Sequence, residues 1–201
     1  MRILFLAILS FSNSLFAQNF KSFFKLSRPE KCWVISHPFV AKKAYKGTKH
    51  SLQITQEIKK QNLLDTLENG GQLDAFRHAY WMAVLTHGIG AKKAWKLGKA
   101  HEKGNYIGYK KRKLEEGYIP DSVSLAMDFF NNKKGIEIGK EYNCNELKNV
   151  VISDILEGKM KIIYRDQKLN SLDCNGEILP YEQWFGSWRN NRCLVNSNIK
   201  N

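Results

Sequence analysis

The sequence lacks the short motifs that define several large classes of enzyme. It contains no G-x-S-x-G nucleophile elbow, no P-loop and no G-x-G-x-x-G fingerprint, so the hydrolase and nucleotide-binding classes built on those motifs lose support. No C-x-x-C pair is present, which argues against a zinc knuckle or a thioredoxin-like redox motif. The chain also carries no N-x-Ser/Thr sequon, which favours a bacterial source over a eukaryotic one.

Apolar runs long enough to cross a bilayer are also missing, since such a span needs about 20 residues. The apolar run Ile3–Leu9 follows Met1-Arg2 and precedes Ser14-Leu15-Phe16-Ala17. This layout is typical of a secretory signal peptide. We therefore expect residues 1–17 to be removed after Ala17 and the protein to be periplasmic or extracellular. A buried N-terminal helix is the alternative.

Acidic residues are scarce, with 19 Asp and Glu against 32 Lys and Arg and a formal net charge of +13. A basic excess of this size indicates anionic partners, such as nucleic acid, anionic lipid or an acidic polymer of the cell envelope. The alternative is a solvated, lysine-rich surface without a partner.

Cysteines are few, and their even number matters in an exported protein. They are Cys32, Cys144, Cys174 and Cys193. Two disulfides are favoured in an oxidising compartment, and one bridge with two thiols is the alternative. We expect the pairs Cys174–Cys193 and Cys32–Cys144, although spacing alone allows all three pairings.

Hydrophobic periodicity predicts a mainly α-helical protein. Helices are expected over 39–47, 51–68, 72–87, 90–104 and 145–157, and in a segment that begins after an Asp121 N-cap. That last segment runs to about residue 132, or to 140 if it is unbroken. Asn131-Asn132 is alternatively a turn that ends it near Phe130. Residues 105–119 are expected to form a basic connector.

These elements predict a single helical domain of about five to six helices. The expected organisation is a basic and aromatic N-terminal arm over 18–37, a helical core over 38–160 and a Cys- and Trp-containing extension over 161–201. In the extension, residues 161–164 favour a short strand, and Asn175-Gly176 is typical of a hairpin turn. A small β-hairpin or an irregular extension is therefore expected there.

Three polar clusters stand in otherwise apolar or glycine-rich helices. They are Asp74-Ala75-Phe76-Arg77-His78, His101-Glu102, and Met127-Asp128 with Asn131-Asn132. At about 100° per residue, Asp74 and His78 share one helix face with Trp81 and Leu85. Because buried polar groups are costly unless they satisfy one another or bind a ligand, these clusters are candidates for a catalytic or binding site.

The helix over 90–104 is more asymmetric than its neighbours. His101 falls on its core side, whereas one opposite stripe predicts a solvent-facing basic surface. The stripe consists of Lys92, Lys96, Lys99 and Lys103. A polyanion-binding surface is the functional interpretation, and a solvated face is the simpler one.

The clusters support three interpretations. In a hydrolase, His78 acts as acid and base with Asp74 as its orienter, and His101 with Asp128 completes the site. The candidate substrate-binding residues are then Arg77, Glu102, Asn131 and Asn132. In a metal site, the same acids and imidazoles hold a divalent ion, although no specific metal spacing is present. In the third interpretation they form a structural buried network.

The order of these motifs resembles an uncharacterised bacterial domain family, over roughly residues 60–160. That family is marked by a D-A-x-R-H-A-Y-W pattern, a His-Glu pair and a later M-D-x-x-N-N-x-x-G pattern. The matching residues are Asp74, Arg77, His78, Trp81, His101, Glu102, Met127, Asp128, Asn131, Asn132 and Gly135. The resemblance implies no activity, because the family is a domain of unknown function. From the residues alone we expect a hydrolase of an anionic envelope or lipid substrate, with no cofactor or with a divalent metal. The alternative is a non-catalytic module that binds polyanions or the cell envelope.

Overall fold

The computed structural model describes residues 22–114 and 117–199. The predicted signal peptide, residues 1–17, lies outside them. The described helices are residues 22–25, α1 (Arg28–Ser36), α2 (Pro38–Gln61), α3 (Gln72–Ile89), α4 (Ala91–Lys110), α5 (Ser122–Glu141), α6 (Leu147–Leu156) and α7 (Tyr181–Trp184). The strands β1 (Lys161–Ile163) and β2 (Leu194–Asn196) form a two-stranded antiparallel sheet. The predicted mainly helical fold is therefore confirmed. None of the described helices is long and apolar enough to cross a membrane.

Helix α3 is the centre of the fold. It packs against α2, α4, α5 and α6, and it is buried on almost all sides. This agrees with its sequence, which is apolar around the whole helix apart from the Asp74 cluster. The polar side chains on α3 are consequently held inside the molecule.

Helix α5 crosses α3 at close range because its facing positions are glycines. A Cβ atom on Gly135 would lie 2.0 Å from the Ala79 carbonyl oxygen, and one on Gly139 would lie 2.6 Å from that of Ala83. The absence of side chains at these two positions thus allows the close helix approach. This crossing brings Asp128 and Asn132 of α5 against α3.

Several predicted helix boundaries are wrong. Segments 39–47 and 51–68 form one helix, α2, which ends earlier, where Asn62 adopts a left-handed φ of 51°. Its hydroxyl side chains Thr48 and Ser51 donate to the carbonyls of Ala44 and Gly47, so they are accommodated within the helix. The basic connector over 105–119 is also shorter than predicted, because α4 continues to Lys110.

Asp121 is the N-cap of α5, as predicted. Its Oδ1 accepts hydrogen bonds from the backbone N–H groups of Val123 and Ser124, each at 2.9 Å, in a capping box. The alternative turn at Asn131-Asn132 is excluded, since α5 continues through both residues to Glu141. Both asparagines are fully buried and hydrogen-bonded to neighbouring elements.

The expectation of two disulfides is wrong. Cys174 and Cys193 form a bridge, whereas Cys32 and Cys144 are exposed thiols. Cys32 lies on α1, which packs against α2 and α4, and Cys144 lies in the connection between α5 and α6. One bridge therefore closes the C-terminal extension, as in the alternative considered above.

The C-terminal extension departs from the hairpin pattern. Gly176 has the expected positive φ of 85°, and Leu172 and Ile178 form an isolated antiparallel bridge around that turn. The regular strand pairing, however, joins β1 to the distant β2, with Ile162 opposite Val195. The extension is thereby attached to the core through β1, which contacts α5 and α3.

Candidate functional site

The polar clusters of three helices meet around the imidazole of His78. Its Nε2 lies 3.4 Å from Asp74 Oδ1 on α3 and 3.3 Å from Asp128 Oδ1 on α5. Its Nδ1 lies 3.9 Å from Glu102 Oε1 on α4. All four side chains are buried. The structure therefore brings together predicted residues that are up to 54 positions apart in the sequence.

Two further contacts fix the carboxylate of Asp74. The backbone N–H of Gly70 donates to Oδ2 at 2.6 Å, and Arg77 Nη2 donates to Oδ1 at 2.6 Å. Gly70 has a φ of 75° and is approached closely by Ile163 and Arg165, so this turn favours glycine. Asp74 is thus held by the turn before α3 as well as by its own helix.

Arg77 also contacts the imidazole of His78. Its Nη2 lies 3.2 Å from His78 Nε2. Because a guanidinium group can only donate, this contact is a hydrogen bond when Nε2 carries no proton. The carboxylate oxygens Asp74 Oδ1 and Asp128 Oδ1 face the same nitrogen and can accept from it when Nε2 carries the proton.

The pKa of His78 is lowered well below its ordinary value. Burial is the main cause, and the positive charges of Arg77 and His101 act in the same direction, while a hydrogen bond with Asn132 opposes them. His78 is consequently neutral at pH 7. A neutral imidazole is the form that accepts a proton or binds a metal ion.

Glu102 and Asn132 support the Nδ1 side of the imidazole. Asn132 Nδ2 donates to Glu102 Oε1 at 3.0 Å, and Asn105 Nδ2 donates to Oε2 at 3.3 Å. Both Glu102 and Asn132 are almost completely buried. They lie behind His78 and are placed to position its ring. Asn105 was not anticipated from the sequence.

Asn131 points away from this centre. Its amide donates to the Lys161 carbonyl at 2.9 Å, and its oxygen accepts from the Lys161 N–H at 3.0 Å. These two bonds hold β1 against α5. In this structure Asn131 connects the helical core to the extension.

His101 lies beside His78, and the two imidazole centroids are 6.3 Å apart. His101 Nδ1 pairs with Glu30 Oε1 of α1 at 3.0 Å. A Cβ on Gly104 would lie 2.5 Å from Ser27 Oγ, so glycine at this position lets the start of α1 approach α4.

Glu30 is a site residue that sequence reasoning missed. Ser27-x-x-Glu30 forms a capping box at the start of α1, with the Ser27 N–H donating to Glu30 Oε2 at 2.8 Å. That motif gives Glu30 a local explanation, and nothing in the sequence links it to a histidine 71 positions away. Burial acts to raise the pKa of Glu30, but His101 and Ser27 lower it to about 2.

Replacing Glu30 by glutamine is expected to lower the free energy of unfolding at pH 7 by up to about 3 kcal/mol, from a pKa that falls from 4.5 to about 2. Because the folded-state pKa is the lower one, this stabilisation is complete above pH 4.5 and is lost as the pH falls towards 2. Urea unfolding of both proteins between pH 2 and 7 measures it. The exposed Glu57→Gln serves as the control on α2, and a Glu30→Gln difference that is independent of pH would contradict the assignment.

A solvent-reachable pocket of about 150 Å³ opens beside His78. Its described lining residues are Glu30, Thr48, Ser51, Leu52, Arg77, His78, Trp81 and His101. The imidazole of His78 thus lies at the boundary between the buried carboxylates and a space that a small ligand can enter.

A metal ion could be held at the same place. Asp74, His78 and Asp128 each offer a ligand atom, and these atoms lie within 4.8 Å of one another. Two carboxylates and a neutral imidazole suit zinc, manganese or iron. Arg77 Nη2 contacts both Asp74 and His78 here, so an ion at this point requires the guanidinium group to move.

The predicted basic stripe is on the surface, as the helical pattern indicates. Lys92, Lys96, Lys99 and Lys103 are all exposed on α4. The same helix therefore presents lysines to solvent on one side and Glu102 to the core on the other.

The fold and the site thus define a helical protein with a buried histidine-carboxylate centre. Comparison with known protein families identifies the family to which the chain belongs. It belongs to the family described as Domain of unknown function (DUF6973), whose model matches residues 31–162. This agrees with the resemblance to an uncharacterised domain family. The match begins within α1 and ends within β1. Comparisons with curated proteins and with solved structures give no match.

Proposed function

We propose that this protein is an exported hydrolase that uses His78 as its general acid and base and acts on an anionic envelope or lipid substrate. The observation that carries the proposal is the position of His78, which contacts two buried carboxylates and also lines the pocket. A histidine with a strongly shifted pKa in a concave site is typical of catalytic centres. A purely structural network needs no such opening.

The proposed reaction begins with a water molecule in the pocket. The neutral imidazole of His78 takes a proton from this water as the water oxygen attacks the carbonyl carbon or phosphorus of the substrate. The bond to the leaving oxygen breaks, and that oxygen receives the proton from the imidazolium. Asp74 and Asp128 stabilise the transient imidazolium, and Arg77 binds the anionic group. His101 lies on the pocket side, where it is placed to assist the leaving group.

Metal assistance is a second form of the same proposal. A divalent ion bound by Asp74, His78 and Asp128 would activate the water in place of the imidazole. The two forms differ in their response to chelation.

Replacing His78 by glutamine is expected to reduce kcat/KM by about a hundredfold to ten-thousandfold, the range for a general acid-base residue. The substrates would be p-nitrophenyl butyrate and bis(p-nitrophenyl) phosphate, assayed with EDTA and again with zinc or manganese. Circular dichroism would establish that the variant remains folded. Loss of activity in EDTA, with recovery on metal addition, would favour the metal-assisted form.

The matched control is the double reversal Lys92→Glu with Lys96→Glu, which changes the basic stripe and leaves the pocket intact.

The exposure of the stripe favours a second candidate function, a non-catalytic module that binds polyanions. If wild-type protein turns over neither substrate and the lysine reversal abolishes salt-sensitive polyanion binding, the hydrolase proposal fails in favour of that module.

A further inference from the structure

A second, mainly apolar cavity of about 110 Å³ adjoins the pocket beside His78. Both cavities are lined by Glu30, Thr48 and Trp81. We call the cavity with His78 the polar compartment and the other the apolar compartment. Because they share these three lining residues, we call the pair of cavities the groove between α1, α2, α3 and α4.

Both cavities are lined mainly by apolar atoms, and they differ in the charged and titratable groups that they contain. The polar compartment carries Arg77, which is permanently charged, beside His78 and His101. The apolar compartment is lined by hydrocarbon and aromatic groups from α1, α2 and α4. They include Trp33, Val34, Ala41, Ala44 and Leu97.

Polar groups at the boundary are already occupied by protein partners. Trp81 Nε1 donates to Thr48 Oγ1 at 2.8 Å, and Thr48 donates to the Ala44 carbonyl. The two oxygens of Glu30 accept from Ser27 and pair with His101. Trp81, Thr48 and Glu30 therefore meet an alkyl chain with these polar groups already hydrogen-bonded within the protein.

We propose that this groove binds a single-chain amphiphile, with its anionic headgroup beside Arg77 and His78 and its alkyl or acyl chain in the apolar compartment. This inference adds to the proposed function the chemical class of the substrate. That the bound ligand is hydrolysed rests on the proposed function. Each compartment is smaller than the roughly 300 Å³ of a typical pocket for a drug-sized ligand. The ligand is thus a short chain, or the end segment of a longer one.

Calorimetric titration with methyl, butyl, hexyl and octyl phosphate tests the proposal without requiring turnover. Each methylene that enters the apolar compartment should tighten Kd by about fourfold, until that compartment is filled. Arg77→Gln should weaken binding of the whole series by about tenfold or more, because the charged hydrogen bond to the phosphate is lost.

Ala41→Phe is designed to fill the apolar compartment, since Ala41 is half-buried and lines it. It should remove the dependence of Kd on chain length while methyl phosphate still binds. The matched control is Gln53→Phe, which places the same side chain on an exposed position of α2. Val34→Trp provides a second filling variant from α1 if Ala41→Phe does not fold.

The source of the ligand is distinguished by comparing monomeric alkyl phosphates with phosphatidylcholine vesicles that contain lysophosphatidic acid, which has one acyl chain. Vesicle binding that is lost in Ala41→Phe indicates a bilayer lipid, and binding of monomers alone indicates a free amphiphile.

Binding that is independent of chain length, or unchanged in both filling variants, would overturn the proposal. If chain-dependent binding occurs without hydrolysis, the hydrolase proposal fails and the amphiphile site stands. If hydrolysis occurs with a KM that is independent of chain length, the amphiphile site fails and the hydrolase proposal stands.

Discussion

Replacing Gly135 by alanine is expected to destabilise the protein by about 3 kcal/mol or more, at the upper end of the effects of overpacking. The added Cβ would lie 2.0 Å from the Ala79 carbonyl oxygen and 2.7 Å from its carbonyl carbon. Both atoms belong to the backbone of the central helix α3, so neither can rotate away as a flexible side chain would. Relief requires α5 to move away from α3. Urea unfolding with a two-state analysis would measure the change.

Gly88→Ala is the matched control for this prediction. Gly88 also lies within a helix, but a Cβ there meets no atom within 4 Å. Alanine should stabilise this position by about 0.5–1 kcal/mol through its higher helix propensity. A loss below about 1 kcal/mol for Gly135→Ala would show that the two helices can separate without penalty, in contrast to the packing described above.

Replacing Asp121 by alanine is expected to cost about 3–5 kcal/mol, the usual effect of breaking a buried ion pair. Asp121 is 2% exposed, and its Oδ2 accepts hydrogen bonds from Arg192 and Asn190. The alanine variant leaves the Arg192 guanidinium buried without this carboxylate and removes the N-cap of α5. Thermal and urea unfolding would both report the loss.

Two companion variants separate the charge from the cap. Asp121→Asn retains a good N-cap residue and removes only the negative charge, so it should cost less than alanine. Combining Asp121→Ala with Arg192→Leu removes both partners and should restore part of the lost stability. If Asp121→Ala alone costs below about 1 kcal/mol, the pair is not essential for joining the extension to α5.

The local sequence pattern was sufficient to predict the central part of the candidate site. Asp74 and His78 are four residues apart on a helix, so helical geometry alone places them on one face. Their burial followed from the apolar residues that surround the rest of α3. Gly135 and Gly139 are likewise four residues apart, so they share one face of α5 and leave room for another backbone.

Local pattern failed where tertiary contacts outweighed the propensity of single residues. Asn131 favours a turn by its own chemistry, yet two hydrogen bonds to Lys161 accommodate it within α5. The pattern predicts that the helix over 90–104 ends at Gly104, but this residue lies inside α4 where α1 makes close contact. Pairing between Glu30 and His101 depends on how α1 packs, and a helical wheel gives faces and no distances. The groove between four helices was unpredictable for the same reason.

Hydrogen bonds between the helical core and the C-terminal extension affect which part of the chain can fold on its own. The family match stops at residue 162, but the Ile163 N–H donates to the carbonyl of Gly70, whose own N–H holds Asp74. Arg192 supplies the counter-ion of Asp121 from still further along the chain. A chain ended at residue 162 would lose both attachments and the strand β2. We therefore expect the segment that matches the family to be less stable without the C-terminal residues beyond it.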